Sequence, residues 1–501
     1  MEVSQNVKQL LAYAELHGLL SGMDIILAEN LILDLLQIKT PWDNGETTPQ
    51  TDIDAILAPI LDYALEQGLI SQDTVTARDI FEGRIFTFLT PRQREIETDF
   101  KDIQKNEGIE KATDYFYSLS KATNYIKTNR IKKDVYWKHQ SPYVDMEITI
   151  NLSKPEKDPK DIAAAKDAPT GYPKCLLCIE NVGYPGHMAH PPRQNHRILP
   201  ITLGGEQWYF QYSPYSYYNE HCIPLNAQHR PIQISEATFV KLFDFLEIMP
   251  HYFVGSNADL PISGGSILSH DHFQGGRHKF PIDFAKVEKT FKIGEVHAHI
   301  LAWPMSVLRL VGDKDEILKT ASKILAEWRN YSNESIEILS HTNNTPHNTI
   351  TPIARVNQGQ YELDLVLRNN RTNDKHPLGI FHPHNEVHHI KKENIGLIEV
   401  MGLAILPGRL KGEIEDIKEI LRGRREITAS LDQHKDWIRE LKASDKSIVS
   451  QQNAESSIND LIKHSIGNKF VEVLRHAGVF KEDMEGREAF TKFVIKCGGV
   501  C

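Results

Sequence analysis

Two short segments of the chain carry residue types whose spacing could do chemistry. The first is Cys175-Leu176-Leu177-Cys178. Two thiols three residues apart on a tight turn supply half of a tetrahedral zinc site. The same pattern also fits two buried cysteines in a turn, since cysteine is among the most buried residue types. The second is Ser269-His270-Asp271-His272-Phe273-Gln274-Gly275-Gly276. On an extended backbone His270, His272 and Gln274 would point to one face. Two imidazoles and an amide make a poor core but a good pocket for a phosphoryl group. A neutral imidazole can attack phosphorus when its second nitrogen is held by an acceptor. A glutamine amide can donate to the non-bridging oxygens without acting as an acid. Gly264-Gly265-Ser266, just upstream, adds permissive backbone and a hydroxyl. The plainer alternative is a histidine pair at the surface or satisfied internally.

Other signatures are missing. The chain has no phosphate-binding G-x-x-x-x-G-K-[ST], no G-x-G-x-x-G and no G-x-S-x-G. His384-Asn385-Glu386-Val387-His388 has its glutamate one place late for a zinc protease helix. Weaker candidates remain. Arg193 and Asn195 in HPPRQNHR offer a guanidinium fork suited to a diphosphate, or a solvated loop. Asn124, Arg130 and Lys133 form a basic cluster that reads more simply as an exposed face. His297 and His299 share one face of a strand and read as structural.

These segments need a scaffold, and the chain is long enough for one. It has 501 residues, 40% apolar and 25% charged, so a large core is feasible. Net charge is −10, which gives no general attraction to nucleic acid or an anionic membrane. Five cysteines, an odd and sparse count, argue for a reducing, cytoplasmic setting over a disulfide framework. No signal peptide pattern and no 20-residue apolar run is visible. Residues 1–120 read as helical, including residues 52–68 ending at a glycine. Residues 153–169 read as a polar boundary loop. Short strands then alternate with single helices in two stretches of similar texture, which suggests a duplicated unit. The expected organisation is a helical region over 1–152, one half carrying the histidine motif over 170–304, a second half over 305–410 and a helical extension over 411–501.

The Cys175/Cys178 turn, EQWYFQYSPYSYYNEH, AQHRPI and S-H-D-H-F-Q-G-G occur in the order found in galactose-1-phosphate uridylyltransferases. The chain resembles the second, longer bacterial class of that family, including GIFHPHNEVHHIKKENIGLIEVMGLAILPGRL. The resemblance implies an α+β fold with two histidine-triad-like half-domains built on antiparallel sheets, plus helical extensions at both ends. It implies uridylyl exchange between UDP-glucose and galactose 1-phosphate, with His272 as nucleophile and Gln274 on the phosphoryl oxygens. It implies structural zinc on Cys175, Cys178, His229 and His270, with His221 competing for the third place. Arg193 and Asn195 would meet the nucleotide, Ser266 or Ser269 the phosphate, and Glu399 the hexose hydroxyls. A homodimer is implied as well. The glutamine third position fits transfer: a sugar phosphate already leaves well and needs no third histidine as acid. Asp271 departs from the better-known class, which has proline there. The alternatives are another nucleotidyl transferase, phosphorylase or hydrolase of the superfamily, or a nucleotide-sugar binding protein without turnover.

Overall fold

The computed structural model describes residues 2–41, 50–153, 171–265, 267–444 and 455–500. Most of the boundary loop expected over 153–169, and Ser266, fall outside these residues. The chain forms two compact units, Met1–Lys133 with Ser153–Arg230, and Asp134–Leu152 with Pro231–Cys501.

The first unit opens with seven helices: α1 (Glu2–Leu16), α2 (Met23–Leu35), α3 (Ile53–Glu66), α4 (Val75–Phe86), α5 (Gln93–Glu107), α6 (Ile109–Ala122) and α7 (Thr128–Ile131). Helix α1 buries Val7, Leu10, Leu11 and Ala14, the three- and four-residue spacing of an apolar stripe. Asp52 caps α3 by accepting from the Asp54 and Ala55 amides. The expected glycine stop follows: Gly68 is left-handed at φ 70° and donates to the Leu65 carbonyl. The unit closes with β3 (Leu199–Leu203), β4 (Glu206–Tyr212) and β5 (Cys222–Asn226), paired antiparallel in that order. The Tyr212 hydroxyl donates to the Thr113 carbonyl at 3.0 Å, and Phe116 packs on Phe210 and Tyr212. An aromatic seam thus joins α6 to β4.

The second unit begins with β1 (Val135–His139) and β2 (Met146–Ile150). Strand β2 lies between β1, antiparallel, and β15 (Leu403–Leu406), parallel. Every residue of β2 is buried. The remaining strands are β6 (Phe253–Gly255), β7 (Gln274–Gly276), β8 (Val287–Ile293), β9 (Val296–Leu301), β10 (Val307–Gly312), the small hairpin β11 (His341–Thr342) and β12 (Thr345–Pro346), β13 (Asn348–Asn357) and β14 (Gln360–Asn369). Apart from the hairpin they pair in the order β7-β6-β13-β14-β10-β9-β8. Helices α8 (Glu236–Ile248) and α9 (Lys314–Arg329) pack against this sheet and each other. After α10 (Leu397–Val400) and β15 come α11 (Arg409–Leu421), α12 (Lys435–Ser444), α13 (Glu455–Ala477) and α14 (Met484–Lys496).

The fold is α+β with antiparallel pairing, as the sequence implied. The duplication is visible in element order: β3-β4-β5-α8-β6-β7 is followed by β8-β9-β10-α9-β13-β14, interrupted only by the hairpin.

The sheet of the second unit carries a buried charge network. Arg309 on β10 faces Asp364 on β14, with Nε to Oδ1 at 2.6 Å and Nη2 to Oδ2 at 2.8 Å. Arg355 on β13 donates to Asp364 and Glu362 at 2.9 and 3.3 Å and is ion-paired with Asp283 at 2.9 Å. Asp364 is fully buried, and the two guanidinium groups hold its carboxyl down at about 2 despite that burial.

Candidate active site and metal-binding group

The histidine motif occupies an irregular approach to a strand. Residues 267–271 lie in turns and coil, Ile262 and Ile267 are left-handed at φ 71° and 61°, His272 forms a β-bridge and Gln274 begins β7. His270 and His272 are buried, at 1% and 5% exposure. The His272 Nδ1–H donates to the His270 carbonyl oxygen at 2.7 Å. A carbonyl only accepts, so the proton sits on Nδ1 and Nε2 keeps a lone pair. Burial takes His272 down to about 4, partly offset by that hydrogen bond. The ring is a neutral imidazole with one nucleophilic nitrogen. Gln274 is half-buried and pairs with Gly255 of β6. Ser269 is exposed and Asp271 half-buried.

The loop before the motif rests on a residue the sequence reading passed over. The Asn257 Oδ1 accepts the Leu397 amide at 2.9 Å. A Cβ on Gly265 would come within 2.6 Å of the Asn257 carboxamide. A Cβ on Gly396 would come within 3.3 Å of both Asn257 Oδ1 and a Glu399 carboxylate oxygen. The glycines Gly265 and Gly396 therefore let the loop, Asn257 and the start of α10 come together. The Gly-Gly-Ser run signalled this, but nothing near Asn257 did. Glu399 is buried, accepting from Lys391 Nζ at 2.9 Å and from the Gly396 amide at 3.2 Å. Lys391 also donates to the Ile405 carbonyl.

In the first unit, Cys175 and Cys178 form the expected tight turn, closed by the Cys178 amide on the Cys175 carbonyl. Their sulfurs are 3.6 Å apart, too far for a disulfide bond. His229 Nδ1 lies 3.2 Å from the Cys178 sulfur. Ligand atoms of these three residues all fall within 4.8 Å of one another. Sulfurs bound to one tetrahedral zinc stand about 3.7 Å apart, given bonds of about 2.3 Å. The spacing and the soft donor set fit such an ion. His221, the competitor for the third place, stacks on Tyr217 and lies against Tyr218.

Arg193 and Asn195 are buried, not solvated as the plain loop reading had it. Asn195 Nδ2 donates to the Thr123 carbonyl at 2.8 Å, and the Arg193 guanidinium lies 5.6 Å from the Tyr125 ring centroid. His196 stacks on the same ring at 4.6 Å with planes 4° apart. The 193–196 segment is thus seated on the turn after α6. The basic cluster proposed nearby is not an exposed face. Asn124 is buried with its amide on Glu82, and Arg130 is paired with Asp79. Lys127, not singled out from sequence, bonds Glu82 at 2.7 Å. Only Lys133 is exposed. His297 is exposed and His299 bonds the Thr290 hydroxyl on the adjacent strand.

His196 and His190 give a pH prediction. Burial lowers both, His190 to about 4 and His196 well below its usual value. Between about pH 6.5 and 4 the unfolded chain therefore binds more protons than the folded one at these sites. Their contribution to stability is full above pH 6.5 and shrinks as pH falls. The melting temperature should drop between pH 7 and pH 5, and removing His196 by His196→Phe should flatten that slope. A slope unchanged by the substitution would count against this account.

The fold is α+β, and the motif presents a neutral, buried imidazole at His272 two residues before Gln274, the features of a nucleotidyltransferase family. Residues 37–231 match the N-terminal domain, and residues 245–439 the C-terminal domain, of galactose-1-phosphate uridyl transferase. The galactose-1-phosphate uridylyltransferase of Caldanaerobacter subterraneus subsp. tengcongensis is 53% identical, covering 98% of both chains. That of Fusobacterium nucleatum is 48% identical over 100% of both, and that of Bacillus subtilis 47% over 99% of this chain and 98% of its own. The chain belongs to the galactose-1-phosphate uridylyltransferase family. The crystal structure of yeast Ap4A phosphorylase Apa2 matches 66% of this chain and 90% of its own at 12% identity, with a TM-score of 0.33, short of fold-level agreement. Among the described residues no helix is long and apolar enough to cross a membrane.

Proposed function

We propose that this chain transfers a uridylyl group from UDP-glucose to galactose 1-phosphate through His272. The observation that carries the assignment is the His272 ring itself: buried, neutral, its Nδ1–H on the His270 carbonyl and its Nε2 lone pair available. In the first step Nε2 attacks the α-phosphorus of UDP-glucose. The P–N bond forms as the bond to the bridging oxygen breaks, and glucose 1-phosphate leaves. In the second step a phosphate oxygen of galactose 1-phosphate attacks the same phosphorus and the P–N bond breaks, giving UDP-galactose. Gln274 donates to the phosphoryl oxygens in both steps. Arg193 and Asn195 hold the nucleotide, Ser266 or Ser269 the phosphate, and Glu399, which accepts from Lys391, the hexose. The test is intact-protein mass after incubation with UDP-glucose. A UMP-sized increment that galactose 1-phosphate discharges is the expected result. Free UMP released without an acceptor would mean a hydrolase instead.

Cys175, Cys178, His229 and His270 would hold zinc, a closed Cys2His2 set whose role is structural. Bound there, the ion would fix the segment two residues from His272. Metal analysis should find one zinc equivalent that Cys178→Ser loses, and an unchanged number of zinc equivalents in that variant would overturn the assignment. A cytoplasmic homodimer completes the proposal, and sedimentation of the full chain tests the dimer.

Gly265→Ala should lower kcat by about tenfold or more. The new methyl group cannot share space with the Asn257 carboxamide, so the loop before the motif must shift. Stability should fall by about 1–3 kcal/mol. An unchanged kcat in a folded variant would show that the loop tolerates displacement.

A further inference from the structure

We propose that His384, Glu386 and His476 form a second metal site, for a divalent ion of the zinc type, which ties the loop between β14 and α10 to helix α13. One ligand atom from each lies within 4.8 Å of the others. A Glu386 carboxylate oxygen is 3.9 Å from His384 Nδ1 and 3.5 Å from His476 Nε2. Donors sharing one zinc ion stand roughly 3–3.5 Å apart, given bonds of about 2.0–2.2 Å. Side-chain torsions alone can close that gap, since Glu386 is exposed and both rings are half-buried.

The surroundings suit a cation. The His384 Nε2–H donates to the Ile380 carbonyl at 3.0 Å, which leaves Nδ1 with the lone pair that a metal needs. His476 Nδ1 accepts the His384 amide at 3.2 Å, so the proton of its neutral ring is on Nε2. Ligation through Nε2 moves that proton to Nδ1 and turns the ring away from the amide. A second carboxylate, Glu472, stands 3.8 Å from His476 Nε2. Lys481, whose charge acts on His476, is committed to the carbonyls of Arg475, His476 and Gly478. Three imidazoles are stacked here, His376 on His384 at 4.0 Å and His384 on His476 at 4.2 Å, which sets a further donor beside the three. Two histidines and a carboxylate select zinc, nickel or cobalt over magnesium or calcium.

The experiment counts cobalt and zinc equivalents bound by metal-depleted full-length protein at pH 7.5. Wild type should bind one equivalent more than His384→Ala/His476→Ala, and Glu386→Gln should weaken that equivalent by about 10–100-fold. Cobalt separates this site from the cysteine group, because only thiolate ligands give a sulfur-to-cobalt absorption band. The band should be unchanged in all variants. Equal equivalents in wild type and the double variant would overturn the proposal. So would a loss confined to the thiolate band. If the double variant misfolds by circular dichroism, Glu386→Gln decides alone: an exposed, isosteric change that left the affinity of every equivalent unaltered would also overturn it.

Discussion

His272→Ala is expected to lower turnover by about 10⁴-fold or more, because the group proposed to carry the uridylyl moiety is gone. The loss should fall on kcat, and UDP-glucose should no longer label the protein. Gln274→Ala should behave differently. It removes a donor to the phosphoryl oxygens but not the nucleophile, so labelling should persist while kcat falls by about 10²–10³-fold. This contrast separates chemistry from folding. A generally disturbed site would lose labelling in both variants, and a His272→Ala protein that still became labelled would disprove the nucleophile. At His272 the variant removes one side-chain hydrogen bond, the one to the His270 carbonyl.

Asp364→Asn should have the largest effect on stability, about 3–5 kcal/mol. Asp364 accepts from both Arg309 and Arg355 at zero exposure. With its charge removed, Arg355 keeps Asp283 and Glu362. Arg309 is left with Glu362 at 3.8 Å and the Ile282 carbonyl at 3.2 Å. A buried guanidinium without a close counter-charge is the costly outcome. Denaturant titration measures it, and a loss under about 1 kcal/mol would mean that water or Glu362 takes over. The pH behaviour has a definite sign. The folded carboxyl titrates at about 2, below its unfolded value, so its contribution is present above about pH 4 and is lost as pH falls through 2.

The sequence made helices and long strands legible because local signals suffice for them. Helix α3 shows its stripe, its Asp52 cap and its Gly68 stop within one short stretch. Strands β13 and β14 contain the strand-like segments ITPIARV and YELDLVL. The motif residues were legible as chemistry, but their conformation was not. The spacing of His270, His272 and Gln274 suggested a strand, and the structure gives a β-bridge at His272 and strand β7 from Gln274, but the approach through Gly264, Gly265 and left-handed Ile267 had no sequence signal for its path. Burial of charge was the other blind spot. Asn124 and Arg130 looked like a basic surface, yet Glu82 and Asp79, over forty residues earlier, consume them. Partners so distant leave no periodic trace. The same holds for Asn257 and Leu397.

Strand β2 also governs the order in which the molecule can be made. Its antiparallel neighbour β1 is at hand almost at once, but its parallel neighbour β15 is translated about 250 residues later. Until then the emerging chain exposes one unsealed edge of an apolar strand, a template for pairing with any other nascent chain. Premature termination before residue 403 would leave that edge permanently open. Such fragments should accumulate as insoluble protein, while a chain cut after β15 keeps the edge sealed.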